Sequence, residues 1–110
     1  MIVSFHTQEL QELCLVMNVA ETKLGRIDAL AMVTMIADVE AQDNCLELLQ
    51  YFADDAKCLR PPEIVIQFGS AMVANFAVSG RRYQLSADGE VDWQTVTRLK
   101  LMAVGAQHGT

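Results

Sequence analysis

The cationic side chains of this sequence are concentrated around one strand-like segment near its end. Arg98 and Lys100 stand two residues apart, so both point to the same face of a β-strand. Arg81, Arg82 and Tyr83 precede them on a segment predicted to lie one or two strands away. Guanidinium and ammonium groups that converge in this way can hold a phosphate or a carboxylate. The pattern therefore predicts an anion-binding surface.

Two other interpretations of this cluster stay open. The charges can belong to a solvated strand face, where they discourage pairing with another sheet edge. Alternatively, Glu90 and Asp92 lie close in sequence and are candidate partners that would give the cluster a structural role. Taken alone, His108 is typical of a surface tail, and Trp93 is typical of a core residue just before a strand.

Two helices are predicted in the first half of the chain. The first runs from an N-cap at Thr7 to a stop at Gly25. Its apolar stripe has helical spacing and comprises Leu10, Leu13, Cys14 and Met17. The second spans about Arg26 to Asp43 and is apolar nearly all round, which predicts that one of its sides faces a partner. Asn44 to Lys57 is predicted to be a short helix or turn followed by a loop.

A period of two replaces the helical period after Pro61-Pro62. Strands are predicted over residues 2–5, 63–68, 71–78, 81–86 and 96–104, with Ser79-Gly80 as a hairpin turn. On the last strand, the predicted core face carries Thr97, Leu99, Leu101 and Ala103. The order predicts an α+β fold, in which an N-terminal strand and two helices pack on one face of a mainly antiparallel sheet of about three to five strands.

Length and composition restrict the class of protein. The 110 residues contain no repeat and predict one domain over residues 1–110. A content of 52% hydrophobic and 20% charged residues excludes disorder. The sequence shows neither an apolar run long enough to span a membrane nor a signal-peptide pattern at its start, so a cytoplasmic protein is expected.

The charge is unevenly distributed along the chain. Residues 1–55 carry ten acidic and two basic side chains, whereas residues 56–110 carry four acidic and six basic ones. A net charge of −6 disfavours non-specific nucleic-acid binding, because phosphate attraction supplies most of that affinity. A local basic surface in the second half is compatible with this balance.

No cofactor and no metal site are predicted. Cys14, Cys45 and Cys58 are odd in number and lack C-x-x-C spacing, so they are expected to be buried, reduced thiols. A nucleophilic cysteine needs a neighbouring base, and the sequence places neither His6 nor His108 beside one.

Four blocks along the chain resemble one known family. They are V-S-F-x-T-x-E-L (Val3 to Leu10), A-E-x-x-L-G (Ala20 to Gly25), A-x-x-x-x-x-x-I-A-D-x-E-A-x-D (Ala29 to Asp43) and D-G-x-V-D-W-x-x-V-T-R-L-K-L (Asp88 to Leu101). The last block is the most specific and the helical one the weakest. In these blocks the chain resembles the RelE/ParE superfamily of toxin–antitoxin toxins, particularly the HigB-like "killer protein" branch.

The resemblance implies a RelE-like fold and a bacterial toxin that cleaves mRNA on the ribosome. Its expected partners are a cognate antitoxin of helix-turn-helix type and, for an active toxin, the ribosome with its mRNA. Apart from the resemblance, the apolar second helix also allows a homodimer. Cleavage at a 2′-hydroxyl needs a group that accepts its proton, cations that hold the phosphate, and an acid for the leaving oxygen. Catalysis is assigned on this basis to His108, Arg82 and Arg98. RNA or phosphate binding is assigned to Arg81, Tyr83, Lys100, Lys57 and Arg60.

The end of the chain departs from the family pattern. Members of the branch commonly end in Asp-Tyr-His, and the matching positions here are Ala106-Gln107-His108. Loss of the Asp-Tyr pair predicts a weakened endoribonuclease. Two alternatives follow: a catalytically inactive RelE-like module that binds a partner through its second helix, and a ParE-like toxin that acts on DNA gyrase by protein contact.

Overall fold

The computed structural model describes residues 1–58, 63–80 and 83–106. Within them, five strands and four α-helices form an α+β fold. The strands are β1 (Ile2–Phe5), β2 (Ala56–Cys58), β3 (Glu63–Phe68), β4 (Met72–Val78) and β5 (Arg98–Ala106). The helices are α1 (Gln8–Leu15), α2 (Met17–Leu24), α3 (Arg26–Ala41) and α4 (Cys45–Phe52). Single 3-10 turns at Ala53–Asp55 and Trp93–Thr95 precede β2 and β5. The predicted α+β class is confirmed.

The five strands form one mixed sheet in the order β1-β5-β4-β3-β2. β1 pairs with β5 in parallel, and the other three pairings are antiparallel. The edge strands β1 and β2 are joined by the four helices, which therefore cross the sheet from one edge to the other. The β1–β5 pairing makes the sheet mixed rather than wholly antiparallel.

The core lies between the helices and one face of the sheet. Its buried strand residues alternate with outward-facing ones and are Ile64, Ile66, Phe68, Ala74, Phe76, Leu99 and Leu101. The helices contribute Leu13, Cys14, Ala20, Ala29, Met32, Met35, Ile36, Val39, Cys45 and Leu48. Because α3 supplies the largest share of the helical part, it is the element on which α1, α2 and the sheet pack.

The predicted first helix is two helices with a break at Val16. Thr7 caps α1 as predicted, its hydroxyl accepting from the Leu10 amide at 3.2 Å, and Gly25 ends α2 at a φ of 82°. Between the two helices, Val16 is extended, with φ −114° and ψ 105°. The break turns α2 onto α3, where Ala20 is buried. Met17 is 37% exposed, so the single stripe predicted from its spacing is wrong at this residue.

The described part of the predicted return strand, residues 83–86, forms no strand. β4 pairs directly with β5, and Leu85 contributes only an isolated bridge to Val91. The hairpin turn predicted at Ser79-Gly80 is therefore wrong, and this turn begins a longer connection instead. β5 displaces the predicted strand because Leu99 and Leu101 can cover the core beside Phe76, whereas Leu85 is 60% exposed.

A bulge changes which residues of β5 face the core. Asn75 pairs with Ala103 and Phe76 with Leu101, so Met102 is an extra residue on its strand. Beyond it the alternation is reversed: Val104 packs against the core and Ala103 is exposed. The prediction that Ala103 shares the core face with Leu101 is therefore wrong. Arg98 and Lys100 precede the bulge and keep their predicted outward face.

The segment after α3 is more regular than predicted. The Asn44 side chain caps α4 by accepting from the Glu47 amide at 3.0 Å. The Glu47 carboxylate in turn accepts from the Asp43 amide at 3.0 Å. The predicted loop includes β2, which adds Ala56 to Cys58 to the edge of the sheet. Reciprocal capping of this kind stabilises a short helix.

The turn between β3 and β4 is attached to the first turn of α3. The Asp28 carboxylate accepts from the Ser70 amide at 2.8 Å and from the Ser70 hydroxyl at 3.1 Å. Gly69 has a φ of 64°, and a Cβ added there would overlap the Asp28 carboxylate. Glycine is thus required at this position for two reasons, backbone conformation and close approach.

Gly69→Ala is expected to lower the free energy of unfolding by about 2–4 kcal/mol. The alanine strains a left-handed backbone and displaces Asp28 from Ser70. Gly89→Ala is the matched control, because Gly89 has a φ of 80° and open space around it. This variant should lower the free energy of unfolding by only about 1–2 kcal/mol. Urea unfolding measures both. Equal losses would show that the Asp28–Ser70 contact contributes nothing.

Candidate anion-binding site

Arg98 and Lys100 lie on the sheet face that is turned away from the helices. Arg98 is exposed, and Lys100 is half-buried between Ser4 of β1 and Ala77 of β4, its partners in register. Two residues of strand separate the cations by about 7 Å along β5. Because Ser4 and Ala77 are small, both cations can reach the same bound group above this face.

A cleft of about 260 Å³ lies at the Arg98 end of this face. Arg98 and Tyr83 line it together with the hydroxyl-bearing residues Ser79 and Thr97 and with Gly80. A cation, an aromatic ring and hydroxyl donors around one cleft match the phosphate and the base of a nucleotide. Tyr83 and Arg98, both predicted as site residues, are therefore brought together.

Tyr83 reaches the cleft although no strand carries it there. The Thr95 hydroxyl accepts from the Gln84 amide at 2.8 Å and donates to the Asp92 carbonyl at 2.7 Å. The Asp92 amide donates to the Gln84 carbonyl at 2.9 Å. These bonds fix the backbone next to Tyr83 against the 3-10 turn that leads into β5. Thr95 is hence a positioning residue, since its hydroxyl is already engaged with the backbone.

Glu90 and Asp92, the candidate partners of the cations, lie in the connection that leads into β5. The Asp92 carboxylate accepts from the Gln94 amide at 3.3 Å and caps the 3-10 turn. Glu90 is exposed, and its backbone carbonyl accepts from the Ser86 amide at 2.7 Å. The acid that shares a row with Lys100 is Glu63, which lies across Ala77 at two strand spacings, or about 10 Å. The strand register therefore adds Glu63 to the acids that the sequence indicates as candidate partners.

Not every predicted site residue joins this cluster. Lys57 is exposed on β2, three strand spacings or about 14 Å from β5, and does not converge with Arg98 and Lys100. Arg60, Arg81, Arg82 and His108 lie outside the described residues. Gly80 and Tyr83, the neighbours in sequence of the arginine pair, both line the cleft.

Sequence reasoning missed the hydroxyls of this site. Ser79 was assigned to a hairpin turn, and Thr97 to the core face, but both line the cleft. Thr97 precedes β5 and is exposed, and its carbonyl accepts from the Ile2 amide at 3.1 Å. Trp93 is half-buried and packs against the core, as predicted. In the sequence, the hydroxyl groups near Arg98 could have been recognised from Thr95 and Thr97, which lie between Trp93 and Arg98.

The three thiols are free, and two of them are buried. Burial raises the pKa of Cys14 to about 11 and that of Cys45 to about 12, so neither forms a thiolate nucleophile near neutral pH. Cys58 is exposed on the short edge strand β2, contrary to the prediction that all three are buried, and partial desolvation raises its pKa.

The described part of the chain contains neither a metal-binding cluster nor a helix that could span a membrane. There, no three His, Cys, Asp or Glu side chains lie together so as to hold a metal ion. Over the same residues, no helix combines the length and the apolar character that crossing a bilayer requires.

Comparison of the chain with protein-family models, curated proteins and solved structures gives no match in any of the three.

Proposed function

We propose that this protein is an RNA-binding toxin of the RelE/HigB type, or a degenerate relative, acting on mRNA in the ribosome. The observation that carries the proposal is the cleft lined by both Arg98 and Tyr83, with Lys100 two residues further along the same face of β5. This combination suits a single-stranded RNA, whose phosphate contacts the cations while an unstacked base lies on the tyrosine. The sequence blocks that resemble the family, above all Asp88 to Leu101, support the same class.

The chemistry assigned to the site divides among three kinds of group. Arg98 stabilises the charge that develops on the phosphate during attack by the 2′-hydroxyl. Tyr83 and Lys100 position the nucleotide. In the proposed reaction, proton transfer falls to His108, with Arg82 as a second cation. These two residues lie outside the described part of the chain, so their roles rest on the resemblance and on the sequence alone.

The acidic charge of the whole chain fits a ribosome-dependent activity better than free RNA cleavage. With a net charge of −6, the protein gains little from long-range attraction to RNA. A local site on such a protein therefore acts best on a substrate that another assembly holds close to it. The proposed partners are accordingly the ribosome and a cognate antitoxin that blocks access to the cleft.

The test is cleavage of an mRNA that is being translated in a purified bacterial translation system. Addition of the protein is expected to produce fragments cut at translated codons, and Arg98→Ala should slow their formation by about 10²–10³-fold. Arg26→Ala, which removes an exposed arginine from the start of α3, serves as the control and should cut normally.

Two outcomes would contradict the nuclease proposal. Intact mRNA together with inhibited DNA supercoiling by gyrase would support the ParE-like alternative. Intact mRNA without inhibition of gyrase, while the protein still binds a co-encoded helix-turn-helix protein, would leave the catalytically inactive interaction module.

A further inference from the structure

A second concave surface lies at the other end of the molecule, on its helical side. It is a groove of about 460 Å³, called here the α3 groove, between one side of α3, the end of α4 with the turn after it, and the end of β3. Its walls include Ile27, Leu30, Thr34 and Asp38 of α3 and, opposite them, Phe52 and Asp55. β4 separates it from the anion-binding cleft, since Met72 lies toward the groove and Val78 lines the cleft, about 20 Å apart along the strand.

The groove has an apolar floor that is open to solvent. Ile27 is 79% exposed and Leu30 57% exposed, whereas most large apolar residues of α3 are buried. Phe52 and Phe68 close the floor from the other side. The sequence predicted one unburied side of this helix, and these exposures confirm it. Adjacent exposed apolar side chains in a groove are typical of a protein-binding surface.

The spacing along α3 indicates the shape of the occupant. Ile27, Leu30, Thr34 and Asp38 lie at i, i+3, i+7 and i+11 and therefore form one stripe along the helix. Eleven residues of helix extend over about 16 Å, which corresponds to three turns. An amphipathic helix laid along such a groove places one apolar side chain per turn against the stripe.

The charge at the far end of the stripe indicates the polarity of the occupant. Asp38 and Asp55 line the same groove from opposite sides, and Asp38 lies in the last turn of α3, where no basic residue offsets the negative end of the helix dipole. The Asp38 carboxylate also raises the pKa of the Tyr51 hydroxyl, mainly through its charge. The terminal ammonium of Met1 donates to the backbone carbonyls of Glu40 and Gln42, not to this carboxylate.

We propose that the α3 groove binds one basic amphipathic helix of another protein, with apolar side chains against Ile27 and Leu30 and a lysine or arginine facing Asp38 and Asp55. A second copy of this chain is a poorer occupant, because the chain has a net charge of −6 and its α3 carries one cation, Arg26, and three acids. The groove acids equally disfavour RNA or an anionic lipid surface. The inference does not depend on the proposed nuclease function.

The test uses two labelled helical peptides of 18 residues as probes. Both carry the same leucine stripe at i, i+3, i+7 and i+11, and one has lysines and the other glutamates flanking it. Fluorescence anisotropy at about 50 mM salt is expected to show at least about ten-fold tighter binding of the lysine peptide, and added salt should reduce this difference.

Variants of the full chain locate the binding surface. Leu30→Gln and the double variant Asp38→Asn/Asp55→Asn are each expected to lower the affinity for the lysine peptide by about five-fold or more. Leu85→Gln removes a leucine of similar exposure outside the groove, and Asp88→Asn/Glu90→Gln removes two exposed acids elsewhere. Both control variants should bind within about two-fold of the parent.

Three results would overturn the inference. They are equal affinity for the lysine and glutamate peptides, no saturable binding of either, and equal losses in the groove and control variants. In sedimentation, a dimer that dissociates on Leu30→Gln would identify a second copy as the occupant instead. Because Arg98 is untouched in every variant, mRNA cleavage measured in parallel reports separately on the proposed function.

Discussion

Phe76→Ala is expected to lower the free energy of unfolding by about 3–5 kcal/mol. Phe76 is 1% exposed and is the largest of the fully buried side chains in the described part of the chain. It lies on β4 in the middle of the sheet, between Ile64 of β3 and Leu101 of β5 in register. The helices lie above it, so the cavity left by truncation is enclosed on all sides and costs more than the lost transfer energy alone.

Asn75→Ala is the matched control for this prediction. Asn75 is the preceding residue of the same strand, is exposed, and faces away from the helices. Its replacement should change stability by no more than about 0.5 kcal/mol. Urea unfolding followed by circular dichroism measures both variants. If Asn75→Ala cost as much as Phe76→Ala, the assignment of the two sheet faces would be wrong.

The faces of β3 and β4 could be predicted because their alternation is a local property. Ile64, Ile66 and Phe68 fix the core face of β3, and Ala74 and Phe76 fix that of β4, whatever strands lie beside them. The turn at Gly69-Ser70 could likewise be predicted, because glycine and serine are typical turn residues. What the alternation cannot indicate is which strand is the neighbour, and so the pairing of β4 with β5 was missed.

The errors in the fold arise where tertiary packing overrides local pattern. Continuous helical spacing through Met17 predicted one helix, but α2 turns onto α3 at Val16. An uninterrupted alternation predicted Ala103 in the core, but the bulge at Met102 reverses the face. A single extra residue in a strand leaves no signal in the sequence of that strand, because it is defined by the partner.

The candidate site was predictable in part for the same reason. The common face of Arg98 and Lys100 follows from the period of two in a strand. Both residues precede the bulge, so their spacing was enough to predict this face. The approach of Tyr83 does not follow from it, because the Thr95 hydroxyl and the Asp92 amide bring Gln84 and its neighbour to the cleft. Lys57 does not lie near the other cations, because its distance from β5 depends on the order of the strands in the sheet, which local spacing does not indicate.

The double variant Arg98→Ala/Lys100→Ala is expected to weaken binding of a single-stranded RNA oligonucleotide by about ten- to hundred-fold at low salt. Each cation that contacts a phosphate releases a counterion, so loss of two contacts should reduce the slope of log affinity against log salt by about 1.4. Fluorescence anisotropy over a range of salt concentrations gives both quantities. The melting temperature should change little, because Arg98 is exposed and neither cation is fully buried.

The control for this variant is Lys23→Ala/Arg26→Ala, which makes the same change in net charge at the exposed junction of α2 and α3. On a chain of net charge −6, RNA is repelled at long range, and any affinity must come from a local cluster of cations. The control should therefore keep the parent's salt slope and lose less than about two-fold in affinity. Equal losses in the two double variants would mean that only overall charge matters. A large fall in melting temperature for Arg98→Ala/Lys100→Ala, with RNA affinity unchanged, would make the pair structural, held by carboxylates such as Glu63 rather than by phosphate.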